Sequence, residues 1–333
     1  MTEILTSPLA PAELEDLREP LAEFLHGPLR AWPAELPSGR RAEYWLDEIR
    51  TVLSNPESAA FVARAGGRTA GLAVVADQAW ETRVLGRRMM VIRHLAAAGE
   101  DSQRAAVFER LLDEAVRHAQ ERGAECLVHR SHADDAPAIH ALERHGFLLM
   151  DTLLDYVFDF ARSELPAPSR LPPDARVRPA TRDDLDSLLE VSRRAFTVHS
   201  GRFHSDERIP RACAIRVYEE WIRSCVEGWA DWVLAAECRG AVVGYSAWKK
   251  PSEIELRHGI ALGHYSIGVV APEQAARGLF RALTLEGMRL LAGHAQSIEG
   301  PTHAANVPVQ RAYAALGWRV GGARHGFHRW SRP

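Results

Sequence analysis

A glycine-bearing turn between a strand and a helix is the part of this sequence whose residue types are best suited to chemistry. The apolar run 265–270 is long enough for a buried strand, and Pro272 in the turn that follows prevents continued strand pairing. Residues 279–288 then carry apolar side chains at helical spacing. The first turn of a helix presents unpaired N–H groups and the positive end of the helix dipole, and Gly278 has no Cβ to keep a ligand away from that backbone. We therefore expect the turn to bind a diphosphate.

An asparagine and a tyrosine further along the chain form the second candidate group. Asn306 is predicted to be a helix N-cap with Pro308 in the first turn, and Gly317 is predicted to end the helix before a strand that starts at Trp318. Tyr313 lies seven residues after Asn306. That spacing is about two helical turns, so the two side chains lie on one face of the helix.

The elements that must position these residues occur twice in the same order. In the first half we predict helices at 11–27, 40–54, 102–122 and 138–145, and strands at 60–64, 69–75, 88–97, 124–130 and up to 160. Residues 161–175 contain four prolines and no periodicity, which indicates a linker. After the linker a strand at 176–179, a helix at 181–196 and a hairpin at 232–237 and 241–248 repeat the pattern.

Two pairs of glycines give the repeat nearly the same offset. Gly146 and Gly317 are 171 residues apart (317 − 146), and Gly71 and Gly244 are 173 apart (244 − 71). We infer a tandem duplication of one α/β unit, with a first domain at 1–160, a linker at 161–175 and a second domain at 176–333.

The duplication also predicts which half is active. At these offsets Tyr313 corresponds to Leu142, which has no transferable proton, and Asn306 corresponds to Asp135. Gly278 corresponds to Val107, at the end of the glycine-free stretch 100–106 in which a helix starts and every residue carries a Cβ. We therefore expect the first half to be degenerate and any catalysis to belong to the second half.

The strand–PEQAARG–helix segment followed by N-x6-Y-x3-G-W resembles the acyl-CoA-binding core of the GNAT-fold N-acyltransferases. The resemblance implies two tandem GNAT-like domains, each a mixed, mostly antiparallel sheet flanked by helices, with acetyl-CoA or another acyl-CoA as donor. It implies that Tyr313 protonates the leaving thiolate and that Asn306 belongs to the catalytic site. The donor would contact the end of the strand and the turn: Gly268, Val269, Val270, Gln274, Ala275, Ala276, Arg277, Gly278, Leu279 and Phe280. The sequence departs from the usual Q/R-x-x-G-x-G/A turn at Ala275 and Phe280.

An unusual loop before an aromatic helix is the predicted acceptor site. It contains Arg202, Phe203, His204 and Asp206, and it precedes a Y-x-x-W-I helix that begins at Tyr218. The stretch resembles the corresponding part of the dTDP-fucosamine acetyltransferases, which implies a nucleotide-linked amino sugar as acceptor. Either His204 or Asp206 could deprotonate the amine, and the sequence does not choose between them.

The composition of the chain argues against several classes of protein function. Lys and Arg total 41 against 44 Asp and Glu, a net charge of −3, which argues against nucleic-acid wrapping as the main role. The four cysteines form no C-x-x-C pair, the first residues lack an apolar signal region, and no apolar run is long enough to span a membrane. The histidines of the first half have no matching ligand set, so we expect no metal; they are His129, His132, His140 and His145. These features predict a cytoplasmic monomer or homodimer with no membrane partner.

Three hypotheses follow. The first is an N-acyltransferase that moves an acyl group, acetyl in the simplest case, from acyl-CoA to the primary amine of a small biosynthetic intermediate such as an amino sugar. The second keeps the fold but uses another donor, such as aminoacyl-tRNA, to form an amide. The third is a non-catalytic module that binds acyl-CoA.

Overall fold

The computed structural model describes residues 3–27, 37–168 and 171–331. Its strands are β1 (Ile4–Pro8), β2 (Ala59–Ala65), β3 (Arg68–Asp77), β4 (Met89–Ala97), β5 (Cys126–His132), β6 (Leu148–Asp159), β7 (Ala175–Pro179), β8 (Trp232–Cys238), β9 (Ala241–Lys249), β10 (Leu262–Val270), β11 (Ser297–His303) and β12 (Arg319–Trp330). Its α-helices are α1 (Arg18–Glu23), α2 (Ser38–Leu53), α3 (Ala79–Leu85), α4 (Asp101–Glu121), α5 (Ala136–Arg144), α6 (Leu185–Phe196), α7 (Arg202–Ser205), α8 (Arg211–Ser224), α9 (Glu253–Arg257), α10 (Leu279–Leu291) and α11 (Val307–Ala315). Among these residues, no helix is both long and apolar enough to cross a lipid bilayer.

The described residues pack as two compact units. The first unit contains residues up to 152 together with 257–259 and residues from 322 onwards, and the second contains 153–256 and 260–321. Each unit contains a run of six neighbouring strands and its own hydrophobic core. The predicted fold class, two tandem GNAT-like domains with mixed, mostly antiparallel sheets flanked by helices, is confirmed.

The first unit has helices on both faces of a sheet with strand order β1-β2-β3-β4-β5-β12. Only β4 and β5 run parallel. Alternation along β2 explains the two layers, because successive side chains of a strand point to opposite faces. Phe61 and Ala63 join the core that α4 covers, and Ala60 and Val62 join the core that α1 and α2 cover.

The second unit repeats this architecture with strand order β6-β11-β10-β9-β8-β7, in which β10 and β11 are the parallel pair. Helices α10 and α11 cover one face, where Tyr265 of β10 packs in a core with Leu283 and Trp248. The next residue of β10, Ser266, points to the opposite face, where it accepts a hydrogen bond from Trp221 of α8. Helix α6 also packs against β9 and β10.

The parallel strands of each unit pair over only part of their length. In the second unit the pairing covers 262–264 of β10 and 297–299 of β11, although both strands continue beyond it. In the first unit it covers 89–92 of β4 and 126–129 of β5. A bulge between Tyr265 and Ile267 turns β10 away at this point. The carboxyl-terminal halves of β10 and β11 therefore separate and leave backbone groups facing the opening.

The predicted helix at 11–27 is wrong in extent. The structure has two single 3₁₀ turns at Pro11–Glu13 and Glu15–Leu17, followed by the short helix α1. Proline has no N–H to donate to the residue four positions earlier, so Pro20 is accommodated only in the first turn of a helix. This confines the α-helical part to residues after 17. Strand β1 and the short helices α3 and α9 were not predicted.

The compact units differ from the predicted domains in their last strands. The first unit is completed by β12, whose residues 324–330 pair with β5, and the second is completed by residues 153–159 of β6, which pair with β11. Strands β6 and β12 occupy corresponding places in the two sequence repeats. Their sequence patterns therefore did not indicate the exchange, in which each strand pairs with strands of the other repeat. The repeat junction at 161–175 stays a prediction about the sequence; of this range, 169–170 lie outside the described residues.

Candidate active site

The turn after β10 has the backbone expected of an anion-binding loop. It passes through a 3₁₀ turn at Pro272–Gln274 and reaches α10 through two residues with left-handed backbone, Ala276 (φ 63°) and Gly278 (φ 80°). Left-handed backbone costs an L-residue roughly 1–2 kcal/mol but costs glycine little. Gly278 precedes the first residue of α10, and the N–H groups of that first turn have no partner within the helix.

The corresponding connection in the first unit is closed to an anion. Only residues 98–100 separate β4 from α4, and Glu100 and Asp101 stand at the start of the helix. Arg104 is buried there and forms ion pairs with Asp135 at 2.6 Å and with Asp101 at 3.1 Å. Carboxylates at this helix start repel a diphosphate, and the nearest buried cation is already paired. This geometry supports the prediction that the first half is degenerate.

Arg277 is held at the turn by other side chains. Its guanidinium donates to the side-chain oxygen of Gln274 and lies 3.6 Å from a carboxylate oxygen of Asp174. The residue is only partly exposed, whereas Ala275 and Ala276 are exposed. The structure therefore places predicted residues 274–278 in the turn and Leu279 and Phe280 in the first turn of α10, and it leaves the two alanines at the surface.

Asn306 and Tyr313 occupy the positions that their spacing predicted. Asn306 caps α11, where its side-chain oxygen accepts from the N–H of Val309 at 3.5 Å. Tyr313 is buried, and its ring stacks on Trp318 with a centroid separation of 4.8 Å. A Cβ built on Gly300 would lie 3.1 Å from the Tyr313 hydroxyl. The hydroxyl therefore lies within the buried core beside Gly300, one residue beyond the last pair that β11 makes with β10.

The buried surroundings of Tyr313 keep its hydroxyl group protonated. Burial, and secondarily the neighbouring Tyr156, raise the pKa of Tyr313 above its usual range. Burial likewise raises the pKa of Tyr265, whose ring is perpendicular to that of Tyr313 at 6.0 Å. Both phenols are thus protonated at neutral pH and able to donate. The assignment of Tyr313 as the acid stays a prediction.

The predicted donor-binding residues of β10 lie along the opening. Gly268, Val269 and Val270 are beyond the last pair with β11 and are partly exposed, while their other edge pairs with β9. A Cβ at Gly268 would lie 1.9 Å from the Tyr265 hydroxyl, so only glycine fits here. Because N–H groups alternate between the two edges of a strand, every second one in this segment points into the opening.

An ion cluster at the base of the opening was not predicted. His264 Nδ1 lies 3.0 Å from Glu299 of β11, and Nε2 lies 3.0 Å from Glu255 of α9. Both carboxylates are buried. Burial alone would lower the pKa of His264, but hydrogen bonds and charge attraction from the two glutamates outweigh it and raise the pKa to about 9. His264 and Glu299 are also the last paired residues of β10 and β11, so this cationic side chain ties the strands together where they begin to separate.

The predicted acceptor residues are only partly available. Arg202, Phe203 and His204 lie in α7, and Asp206 is the residue that follows this helix. Of these residues, Phe203 and Asp206 are buried. Asp206 accepts from the N–H of Arg208 at 3.0 Å, which is a turn-forming role, and Arg202 lies over the ring of Phe203 at 4.3 Å. Burial, and secondarily the charge of Arg211, lower the pKa of His204, so its imidazole is neutral at pH 7.

Aromatic side chains of α6–α8 surround His204 in the second unit. Tyr218 stacks on Phe196 with ring centroids 3.7 Å apart. The ring centroid of His204 lies 5.7 Å from that of Tyr218 and 5.6 Å from that of His199. His199 in turn lies 6.4 Å from His303 at the end of β11. Trp221 donates to Ser266 of β10 at 2.9 Å. The Y-x-x-W-I helix was noticed in the sequence, whereas His199 and His303 were not.

Comparisons with known proteins agree with this geometry. Residues 21–147 match the acetyltransferase (GNAT) family. The match falls on the half whose turn is closed, whereas the sequence resemblance was carried by the second half.

Two curated relatives align with about three fifths of the chain. The mycothiol acetyltransferase of Pseudarthrobacter chlorophenolicus is 31% identical over 62% of this chain and 61% of its own length. The spore coat polysaccharide biosynthesis protein SpsD of Bacillus subtilis is 25% identical over 61% of this chain and 66% of its own length. The chain thus spans less than two thirds of the length of these relatives.

Solved structures match almost the whole chain. A GCN5-related N-acetyltransferase from Sphaerobacter thermophilus has a TM-score of 0.66 and 17% identity, over 99% of this chain and 96% of its own. A tandem GNAT protein from the clavulanic acid biosynthesis pathway has a TM-score of 0.54 and 14% identity, over 99% of both chains. At these identities the likeness concerns the fold, and with the strand pattern of each unit it identifies the chain as a tandem GNAT-fold protein.

Proposed function

We propose that the second unit transfers an acyl group, acetyl in the simplest case, from acyl-CoA to the primary amine of a small biosynthetic intermediate. The observation that carries this proposal is the placement of three features along one opening. The strands β10 and β11 separate beyond 264 and 299, a glycine turn and the first turn of α10 follow β10, and the buried Tyr313 hydroxyl lies beside Gly300, next to the point where the strands separate. Acyl-CoA has a diphosphate, an amide-bearing arm and a thioester sulfur, and the turn, the separated strand and the tyrosine are complementary to each in turn.

The reaction requires an amine that attacks while neutral. Its nitrogen forms a bond to the thioester carbonyl carbon, and N–H groups of β10 near Gly268 stabilise the oxyanion that develops. The C–S bond then breaks, and Tyr313 donates to the thiolate that leaves. The amine gives up one proton in the same sequence, so a base is needed on the acceptor side.

We propose His204, and not Asp206, as that base. Asp206 is buried and engaged with the N–H of Arg208, whereas His204 is a neutral imidazole at pH 7. His264 lies nearer the base of the opening, but it is protonated below about pH 9 and has no free lone pair to accept a proton. Direct transfer to His204, or transfer through a water molecule, completes the proton balance.

The acceptor proposal is an amine on a ring such as an amino sugar. Stacked aromatic rings beside a reactive site suit the apolar face of a ring, and Tyr218 and Trp221 are stacked at 18° on the side of β10 that carries Ser266. The names of the relatives, which refer to mycothiol acetylation and to polysaccharide biosynthesis, motivate including thiol-sugar amines and nucleotide amino sugars among the acceptors tested.

The test is a matrix of acyl-CoA donors and amine acceptors with detection of free thiol. We expect saturable thiol release with at least one acceptor and a mass increase of that acceptor equal to the acyl group. Aminoacyl-tRNA is included as a competing donor. Binding of acyl-CoA without turnover against any amine would instead support the non-catalytic hypothesis, and transfer from tRNA without thiol release would replace acyl-CoA as donor.

A further inference from the structure

A histidine pair and a carboxylate form an unassigned cluster in the first unit. The cluster consists of His26, His132 and Asp134, and one ligand atom from each lies within 4.8 Å of the others. The two imidazole rings are stacked, with centroids 4.6 Å apart and planes at 23°. Within the described ranges this is the one group of three such side chains that are this close. It plays no part in the proposed acyl transfer.

Each histidine has an oxygen atom near its Nε2 atom. Nε2 of His132 lies 3.4 Å from the carbonyl oxygen of Gly27, and Nε2 of His26 lies 3.6 Å from a carboxylate oxygen of Asp135. With protons on both Nε2 atoms, both Nδ1 atoms carry lone pairs. Nδ1 of His26 is the atom that faces Asp134, at 4.0 Å. A carbonyl or carboxylate behind each imidazole is the usual outer arrangement of histidine metal ligands.

The outer partner of His26 is itself held rigidly. Asp135 accepts from Arg104 at 2.6 Å and from the N–H of Ala138 at the start of α5. The Asp134 side chain is 82% exposed and therefore free to rotate toward the two rings.

We propose that His26, His132 and Asp134 bind a divalent transition metal ion of the zinc class, through two imidazole nitrogens and one carboxylate oxygen. A tetrahedral ion with bonds of roughly 2.1 Å separates its ligand atoms by roughly 3.4 Å. The three ligand atoms lie within 4.8 Å of one another, so rotation of Asp134 and of the imidazole rings is needed to reach this separation, with water as the remaining ligand. Imidazole nitrogen with carboxylate oxygen suits zinc, cobalt and nickel, whereas magnesium and calcium prefer all-oxygen sites.

The second unit contains a natural comparison for this cluster. His199 and His303 stand at the repeat positions of His26 and His132, with offsets of 173 (199 − 26) and 171 (303 − 132). Their rings are 6.4 Å apart at 71°, and Ala305 stands where Asp134 stands in the first unit (305 − 134 = 171). At these repeat positions both units therefore have the two histidines, but only the first unit has the carboxylate.

Titration of the full chain tests the proposal. After chelator treatment and removal of any affinity tag, the protein is titrated with cobalt, followed by visible absorption, and with zinc, followed by calorimetry. We expect one ion per chain, a tetrahedral cobalt spectrum and displacement of cobalt by zinc. The variants His26→Ala and His132→Ala should weaken metal binding by more than about 100-fold, and Asp134→Asn by about 10-fold. Substitutions of residues around a metal ion reduce its affinity by factors of this order.

The matched controls are His199→Ala and His303→Ala, which should leave the affinity unchanged. Circular dichroism and thermal unfolding show whether each variant is folded. Should His132→Ala fail to fold, Asp134→Asn at the exposed position still decides the question. Absence of stoichiometric binding, or binding that the three substitutions leave intact, would overturn the proposal.

Discussion

Replacement of His264 by glutamine should reveal a pH-dependent contribution to stability. His264 is protonated between the buried carboxylates of Glu255 and Glu299, and its pKa is about 9 against an ordinary value of 6.5. One pKa unit corresponds to about 1.4 kcal/mol, so the difference amounts to about 3 kcal/mol of unfolding free energy. Because the folded-state pKa is the higher one, this contribution is complete below about pH 6.5 and is lost as the pH rises through 9.

Chemical denaturation at several pH values is the assay. The unfolding free energy of the unmodified protein and of His264→Gln should differ by about 3 kcal/mol at pH 6, and the difference should shrink toward zero by about pH 10. Glutamine keeps a hydrogen-bond donor but carries no charge, so it leaves two buried carboxylates without their cation. Taking the difference between the two proteins removes the titration of every other group.

An exposed histidine of the same unit provides the control. His294 is exposed, so His294→Gln should change stability by no more than a few tenths of a kcal/mol at any pH. A difference between the unmodified protein and His264→Gln that stayed constant from pH 6 to pH 10 would refute the reasoning, because it would show that the loss comes from packing and not from the charge.

Three further predictions concern the acyl-transfer site. Tyr313→Phe should lower kcat by about 10²–10⁴-fold while the unfolding midpoint changes little; wild-type single-turnover rates would remove Tyr313 from the mechanism. Gly278→Ala forces a side chain into a backbone with φ of 80° at the start of α10 and should raise KM for acyl-CoA by about 10-fold, whereas Gly293→Ala, which meets open space, should not; equal KM values in the two variants would contradict the anion-site assignment. Because the pKa of His204 is lowered, kcat/KM should fall only below pH 6.5 on the acid side, and His204→Gln should abolish that limb of a pH–rate profile; an unchanged profile would exclude His204 as the base.

Local signals were enough to locate the turn, the helix cap and the helix that carry the proposed donor-side residues. The glycine at 278, the cap at Asn306 and the position of Tyr313 depend on residues that are close together in sequence, and the structure has each of them in the expected element. The repeat offset placed the equivalent of Gly278 at Val107, whereas α4 begins at Asp101 and the residue before it is Glu100, so the connection in the first unit is shorter than the offset implied. Turns and caps are encoded over a few residues, so a single sequence is enough to predict them.

The acceptor side depended on long-range contacts and was predicted less well. Glu299 lies 35 positions after His264, and nothing in either local pattern indicated that the two side chains would meet. Phe203 and Asp206 looked like ligands because the loop is polar and aromatic, yet both are buried by tertiary packing. His132 was grouped with the nearby His129, His140 and His145, whereas its structural neighbour is His26.

The exchange of β6 and β12 has a consequence for biosynthesis. The strands of the first unit are completed only when residues 324–330 pair with β5. One edge of β5 therefore stays unpaired until these residues have been synthesised. Closing so long a loop is entropically costly and slow, which makes the unpaired edge of β5 a point of vulnerability to aggregation during synthesis. Cutting the gene at the repeat junction would therefore produce two fragments that each lack their own closing strand.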